Sequence, residues 1–434
     1  MQGSLWKQTE LPAFPRLQGE EHCDVLVIGG GLCGVLCAYY LQKAGKDVIL
    51  LEADKIGGGN SGNTTGKVTL LQGLRYHELL YKQGREAAQS YLFAAREALG
   101  EYRRLARHFA FDFENRPACT YSLRDRDAVE REAVALRALG ERAEFTECCE
   151  LPFKTAGGIR LENQGQLNVM KLLSHLVKDL SIFEHSRVLD ITPAGAVTEG
   201  GRVRARSIIV TTHFPFIDRR GAYFLKQYQH RSYVLALEGV PRLRGMYVDE
   251  NKGGLSFRSY GEYLLLGGGG HRTGKRGGGY DELHAFVKKY YPQAQVAARW
   301  AAQDCMSLDG VPYIGNYSPK TPNLYVATGF NKWGMTGSMT AALILRDRIL
   351  GKTPAHAHIF DPHRSILHPQ LFINGLETAA NLLLPLPRRC SHLGCALHYN
   401  KAEHSWDCAC HGSRFDADGR VLDGPSNKSV KSEE

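Results

Sequence analysis

The chain has 434 residues, 43% hydrophobic and 23% charged, a globular composition with length for two or three units. Its formal net charge is +9, but Lys and Arg are spread along it without a long basic run, which argues against a nucleic-acid partner. No window approaches the roughly 18 apolar residues of a membrane span. The first twenty residues lack the apolar core of a signal peptide, and the eleven cysteines are too irregular for a secreted disulfide framework, so the cytoplasm is the expected compartment.

Residues 23–52 read CDVLVIGGGLCGVLCAYYLQKAGKDVILLE. The apolar run 25–28 predicts a buried strand. Gly29, Gly31 and Gly34 form G-x-G-x-x-G, apolar residues at helical spacing follow through Leu41, and DVILLE predicts a second strand. Glycine at these places lets a pyrophosphate approach the backbone, and the helix N-terminus supplies amides and partial positive charge. Glu52, ending the second strand, is placed to accept hydrogen bonds from a ribose. The combination predicts a nucleotide-binding fold, where a lone glycine motif would not.

The chain then returns to that sheet. A loop rich in Gly and Thr follows Glu52 and includes Thr64 and Thr65. ARSIIVTTHFPF (205–216) reads as another buried strand, and NLYVATGFNKWGMTGSMTAALILRDRIL (323–350) as a strand, a Gly-rich turn from Gly329 to Gly337, and a long helix. Three separated returns fit an extended FAD better than a nicotinamide nucleotide. Between them, EAAQSYLFAAREALGEYRRLARHF has helical apolar spacing, and residues 231–271 alternate as strands.

These stretches, with RWAAQDCMSLDGVPYIG (299–315), make residues 20–350 similar to the D-amino-acid-oxidase-like family of FAD oxidoreductases. The resemblance implies an α/β fold, α+β overall: a Rossmann-like FAD-binding domain (20–75, 155–215 and 299–350) and an antiparallel-sheet substrate domain (76–154 and 216–298). It places FAD against Gly29, Gly30, Gly31, Gly34, Glu52, Thr64, Thr65, Val188, Gly329, Gly334, Met335 and Thr336. Family members that oxidise amino acids often hold the substrate carboxylate with an arginine just before D-G-x-P-x-I-G. Here Asp304 stands at that position, which disfavours a simple α-amino acid and favours a cationic amine. Arg258, Arg272 and Lys275 are candidates for the missing positive charge. Arg258, His271, Asp304 and Lys332 are the pocket candidates. Cys305 and the pair Cys148-Cys149 read as ordinary fillers.

Residues 390–415 read CSHLGCALHYNKAEHSWDCACHGSRF. Two Cys and two His in two loops suit either a tetrahedral zinc ion or a Rieske [2Fe–2S] cluster. The C-x-H-L-G-C and C-x-C-H-G-S contexts resemble the two loops of Rieske proteins. By that resemblance Cys390 and Cys408 bind one iron, His392 and His411 the other, and Cys395 and Cys410 form a supporting disulfide. Ser413 donates to a cluster sulfide, Gly424-Pro425 shields the cluster, and His398 and His404 are solvated. The lobe, 388–428 after a linker at 351–387, is short for a Rieske domain and needs staples or a neighbour to fold.

The expectation is therefore an oxidoreductase, a dehydrogenase more than an oxidase. A small amine or amino-acid-like substrate gives a hydride to FAD, and electrons leave through the cluster to a one-electron acceptor protein or quinone. The alternatives are an O₂-using oxidase with a zinc- or disulfide-held tail, and a redox sensor or electron-transfer adaptor.

Overall fold

The computed structural model describes residues 3–146, 150–192, 194–217, 220–251 and 253–430; Cys148 and Cys149 lie outside them. The stretch 25–28, all four side chains buried, sits inside the strand Gly19–Ile28, flanked in parallel by Gly201–Val210 and Val48–Leu51. Buried on both faces, such strands read as continuous apolar runs. Leu324–Thr328 and Ser181–Phe183 extend the sheet in parallel, and Tyr313–Asn316 closes one edge antiparallel. The helices Leu32–Lys43 and Gly334–Ile349 pack beside it; Val35, Leu36, Leu41, Met339 and Leu345 are wholly buried. This is the Rossmann-like frame expected at the front of the chain.

The second sheet has nine strands, mostly antiparallel. Its spine is the long meander Gln227–Glu238, Tyr263–Arg272 and Gln295–Ser307, continued by Ser256–Tyr260, Met246–Asp249, Glu114–Ser122 and Gly157–Gln166. Two stretches that the sequence groups with the nucleotide unit, 157–166 and 299–307, hydrogen-bond into this sheet. Neither carries a clean in–out alternation, 157–166 being buried at both ends, and domain boundaries drawn from motif positions miss this. The two sheets share no strand, but the chain passes repeatedly from one to the other and residues of both line the first cavity.

The third sheet is the small antiparallel one: Leu397–Asn400, Ser405–Cys408, Arg414–Phe415 and Val421–Asp423. Its core is Cys390, Cys395, Leu397, Cys408, Cys410 and Phe415, so four of six core side chains are cysteines. Such a lobe has little hydrophobic stabilisation of its own. It leans on the body instead. Arg231, 2% exposed in the second sheet, holds both carboxylate oxygens of Glu403 through its Nε and Nη2, and Arg414 joins Glu403 and Asp407.

The expected linker carries a helix, Pro369–Leu383, with an inverted face. Asn374 and Asn381 are buried and hydrogen-bonded, while Phe372, Ile373, Leu376 and Leu383 are exposed. Among the described residues no helix is long and apolar enough to cross a membrane.

Candidate functional site

The strand Gly19–Ile28 ends in Gly29, whose φ of +108° puts it in the region glycine favours. A Cβ there would lie 2.8 Å from the Thr211 carbonyl, and one on Gly34 would lie 1.9 Å from the Gly29 carbonyl. Gly29 and Gly31 face an elongated cavity of about 370 Å³, while Gly30 and Gly34 sit behind it and let strand and helix meet. Glu52 also lines it. Its carboxylate accepts from the Gly30 amide (2.6 Å) and the Asp54 amide (2.8 Å), and burial raises its pKa against those two bonds. Glu52 therefore braces the glycine loop and keeps further lone pairs for a ribose.

Thr64, Val188, Gly334 and Met335 line the same cavity. Gly329 and Thr336 do not. Gly329 is the φ +72° corner that starts the turn, and the Thr336 hydroxyl is spent on the Thr69 carbonyl. Glycine-bare walls, a helix N-terminus and an acidic strand end are what an extended dinucleotide needs, and the fit is to FAD.

A second cavity of about 380 Å³ opens over the second sheet. It shares Thr64, Asp304, Asn331, Lys332 and Met335 with the first, so the two meet at these residues. Thr65 faces the second alone. Asp304 and Lys332 therefore both stand at the junction of the two cavities. Asp304 accepts from the Ser232 hydroxyl at 3.2 Å.

The other two pocket candidates are not there. Arg258 is fully buried behind the wall, donating to the carbonyls of Thr65, Gly66 and Leu167 and packed between the Trp6 and Tyr260 rings. It shapes the loop rather than meeting substrate. His271 stacks on Tyr233 and bonds its hydroxyl at 2.9 Å, away from both cavities. Arg272 and Lys275 turn to the C-terminal part, Arg272 to the Ala409 carbonyl and Asn374, Lys275 to Glu377. Cys305 is buried on the wall of the first cavity, where burial pushes its thiol up to about 12.

In the lobe, Cys390, Cys408 and His411 are at most 3% exposed and His392 is half-buried. The two imidazoles stand edge to face, 5.0 Å apart, and the Cys390 thiol lies against Cys408 and Ser413. Paired thiols and paired imidazoles are the ligand types that a [2Fe–2S] centre of mixed ligation requires. The tightest sulfur group is nevertheless Cys395, Cys408 and Cys410, mutually within 4.8 Å. Three thiols without an imidazole do not make a centre of mixed ligation. Cys395 and Cys410 are both free thiols, so the expected disulfide is not formed in this structure. Ser413 also accepts from the Ser426 amide. Of the two histidines expected in solvent, exposed His404 bonds Tyr399, but half-buried His398 is held by Asn381 at 2.8 Å.

The lobe reaches the first cavity. Val421, Leu422, Asp423, Gly424 and Asn427 form part of its wall. The Gly412 carbonyl, next to His411, accepts from the Gln303 side chain at 2.9 Å, and Gln303 lines that cavity too. The His411 ring packs on Phe214 and Phe224. Gln303 and the 421–427 loop carry no sequence signal for lining this cavity; only the tertiary fold brings them together.

A nucleotide cavity joined to a substrate-sized one, with a metal-ligating lobe on its wall, defines a flavin-dependent oxidoreductase with an iron–sulfur extension. A family model for FAD dependent oxidoreductases matches residues 24–348 and one for the Rieske [2Fe-2S] domain matches 379–434. The chain belongs to the FAD-dependent oxidoreductase family and carries a Rieske domain, which imply FAD and a [2Fe–2S] cluster. It is 31% identical to YhfW of Bacillus subtilis (strain 168), described as a Rieske 2Fe-2S iron-sulfur protein, over 99% of this chain and 97% of that one. It is 24% identical to gamma-glutamylputrescine oxidoreductase of Escherichia coli (strain K12), over 82% of this chain and 89% of that one. Among solved structures, glycine oxidase from Geobacillus kaustophilus matches with a TM-score of 0.67 at 22% identity, over 80% of this chain and all of that one.

Glu403 is the testable joint between lobe and body. Glu403→Ala leaves Arg231 buried without its carboxylate, a change that costs about 3 kcal/mol. The lobe is expected to become the first site of limited proteolysis while residues 20–350 stay intact, read by mass spectrometry of the fragments.

Proposed function

We propose that the chain is a dehydrogenase for a small amine, bound in the second cavity, and that its electrons leave through the lobe to an external one-electron carrier. The observation that carries this reading is the Gln303–Gly412 hydrogen bond: one residue belongs both to the cavity wall and to the contact with the cluster loop. FAD, when bound, supplies acceptance of a hydride as an electron pair, and the cluster supplies one-electron transfer.

The residues present do the rest. Gly29, Gly31 and the amides opening the helix Leu32–Lys43 hold the diphosphate end, and Glu52 the ribose. Asp304 draws an ammonium to the junction of the two cavities and disfavours a carboxylate there. Amine chemistry also accords with the substrate in the name of the Escherichia coli relative. Cys390, Cys408, His392 and His411 hold the cluster, and the Phe214 and Phe224 rings keep water from the His411 side.

The test is anaerobic mixing of the holoprotein with a panel of primary and secondary amines, followed by absorbance and electron paramagnetic resonance. Flavin bleaching followed by a reduced-cluster signal of low average g supports the reading. Rapid peroxide formation with no cluster signal points to the oxidase alternative. Reduction by a protein partner but by no amine points to the adaptor.

A further inference from the structure

Lys67 lies on the floor of the second cavity, and nothing in the proposed chemistry uses it. It follows the Thr64–Gly66 loop that Arg258 and Trp6 hold in place, and its backbone pairs with Gln166 at the sheet edge. The residue is only 7% exposed. Its Nζ donates to the hydroxyls of Thr65 (3.2 Å) and Ser256 (3.4 Å), and among the described residues it makes no ion pair. Such a lysine is unusual. A buried ammonium is normally matched by a carboxylate, because hydroxyls do not repay its desolvation.

The charged groups facing the cavity come from every wall around it. Asp304 and Lys332 stand at the junction with the first cavity, Asp249 and Glu250 at the end of the strand Met246–Asp249, and Arg75 and Glu78 in the first turn of the helix Arg75–Ala106. Arg75 is paired with Glu78, Asp249 is tied to Asn251, and Glu250 accepts from Ser122. The charge that acts on Lys67 is the Arg258 guanidinium behind it. Burial first, and that like charge second, push the lysine down to about 7.

We propose that Lys67 is the base of the substrate cavity and takes a proton from the substrate's ammonium group. This rests on the amine reading above. An aliphatic amine arrives as R₂CH–NH₃⁺, drawn in by Asp304, and its carbon cannot release a hydride until the nitrogen lone pair is free. One N–H bond of the substrate breaks, its electron pair stays on the substrate nitrogen, and the proton forms a new bond to Lys67 Nζ. The lone pair then forms the C=N bond as the hydride leaves the carbon for the FAD of the proposed function. Thr65 and Ser256 act as positioning residues, holding the uncharged Nζ toward the cavity.

The test uses FAD-loaded full-length protein and the variants Lys67→Met and Lys67→Arg. Without substrate, the visible flavin spectrum of the parent is expected to shift with a midpoint at about pH 7. The arginine variant stays in the low-pH spectrum because guanidinium does not titrate there, and the methionine variant stays in the high-pH spectrum. With amines that reduce the parent, the reduction rate rises through the same midpoint, and Lys67→Met loses most of the rate together with that pH dependence. A midpoint that persists in Lys67→Met, or a methionine variant reduced with the parent's pH profile, overturns the proposal. If no amine reduces the parent, the substrate reading falls and the base role with it, even where the spectral midpoint is present.

Discussion

Replacing Cys408 with serine is expected to remove essentially all iron from the protein while FAD remains bound. Cys408 is 1% exposed and sits at the centre of the lobe, touching Cys390 on one side and Cys395 and Cys410 on the other. The lobe core has only Leu397 and Phe415 beside its four cysteines, so the energy that folds it comes largely from whatever the sulfurs bind. The FAD cavity is built mainly by the body, and its glycine loop lies in another sheet, so the cofactor is retained. Iron and flavin analysis of the purified variant checks both halves. His411→Ala should behave the same way, whereas His398→Ala, whose ring is occupied by Asn381, should keep its iron.

Gly34→Ala has the second large effect, on the other cofactor. The new Cβ would stand 1.9 Å from the Gly29 carbonyl and 2.8 Å from the Thr211 hydroxyl, so strand, helix and loop must part. Overpacking of this kind costs about 1–3 kcal/mol, and felt in the bound state that is roughly a five- to 150-fold loss of FAD affinity. Titration of the apoprotein with FAD, followed by flavin fluorescence, measures it. Gly100→Ala is the control, because Gly100 sits in the helix Arg75–Ala106 at an ordinary helical φ and a Cβ there meets nothing within 4 Å.

What the sequence made legible was whatever is written locally. Gly29, Gly31 and Gly34 with Glu52 declare themselves within thirty residues because strand, turn and helix are consecutive, and the pyrophosphate contact uses backbone. The two cluster loops are equally local. The substrate side is not. Its walls come from strands far apart in the chain, and a lysine such as Lys67 shows its unusual state only when the fold reveals that, among the described residues, no carboxylate pairs with it. Arg258 illustrates the converse: a cation in a pocket-like strand, Ser256–Tyr260, turned out to face carbonyls behind the wall. Period-2 alternation fixes which face a residue shares with its neighbours, but not which sheet the strand joins. For that reason 157–166 and 299–307, adjacent in sequence to nucleotide-binding segments, pair into the second sheet.

The lobe's dependence on the body also explains how so short a domain persists. Glu403 to Arg231, Arg272 to the Ala409 carbonyl and Gln303 to the Gly412 carbonyl replace the strands that a longer domain would supply. The same contacts set the metal loop against the flavin cavity.

The most direct measurement is therefore metal and sulfide analysis with electron paramagnetic resonance on protein purified without air and reduced step by step. The account predicts two irons and two sulfides per FAD, with a reduced signal of low average g that vanishes in Cys408→Ser. Zinc or no metal beside an intact flavin would contradict it and leave the lobe without a part in electron transfer.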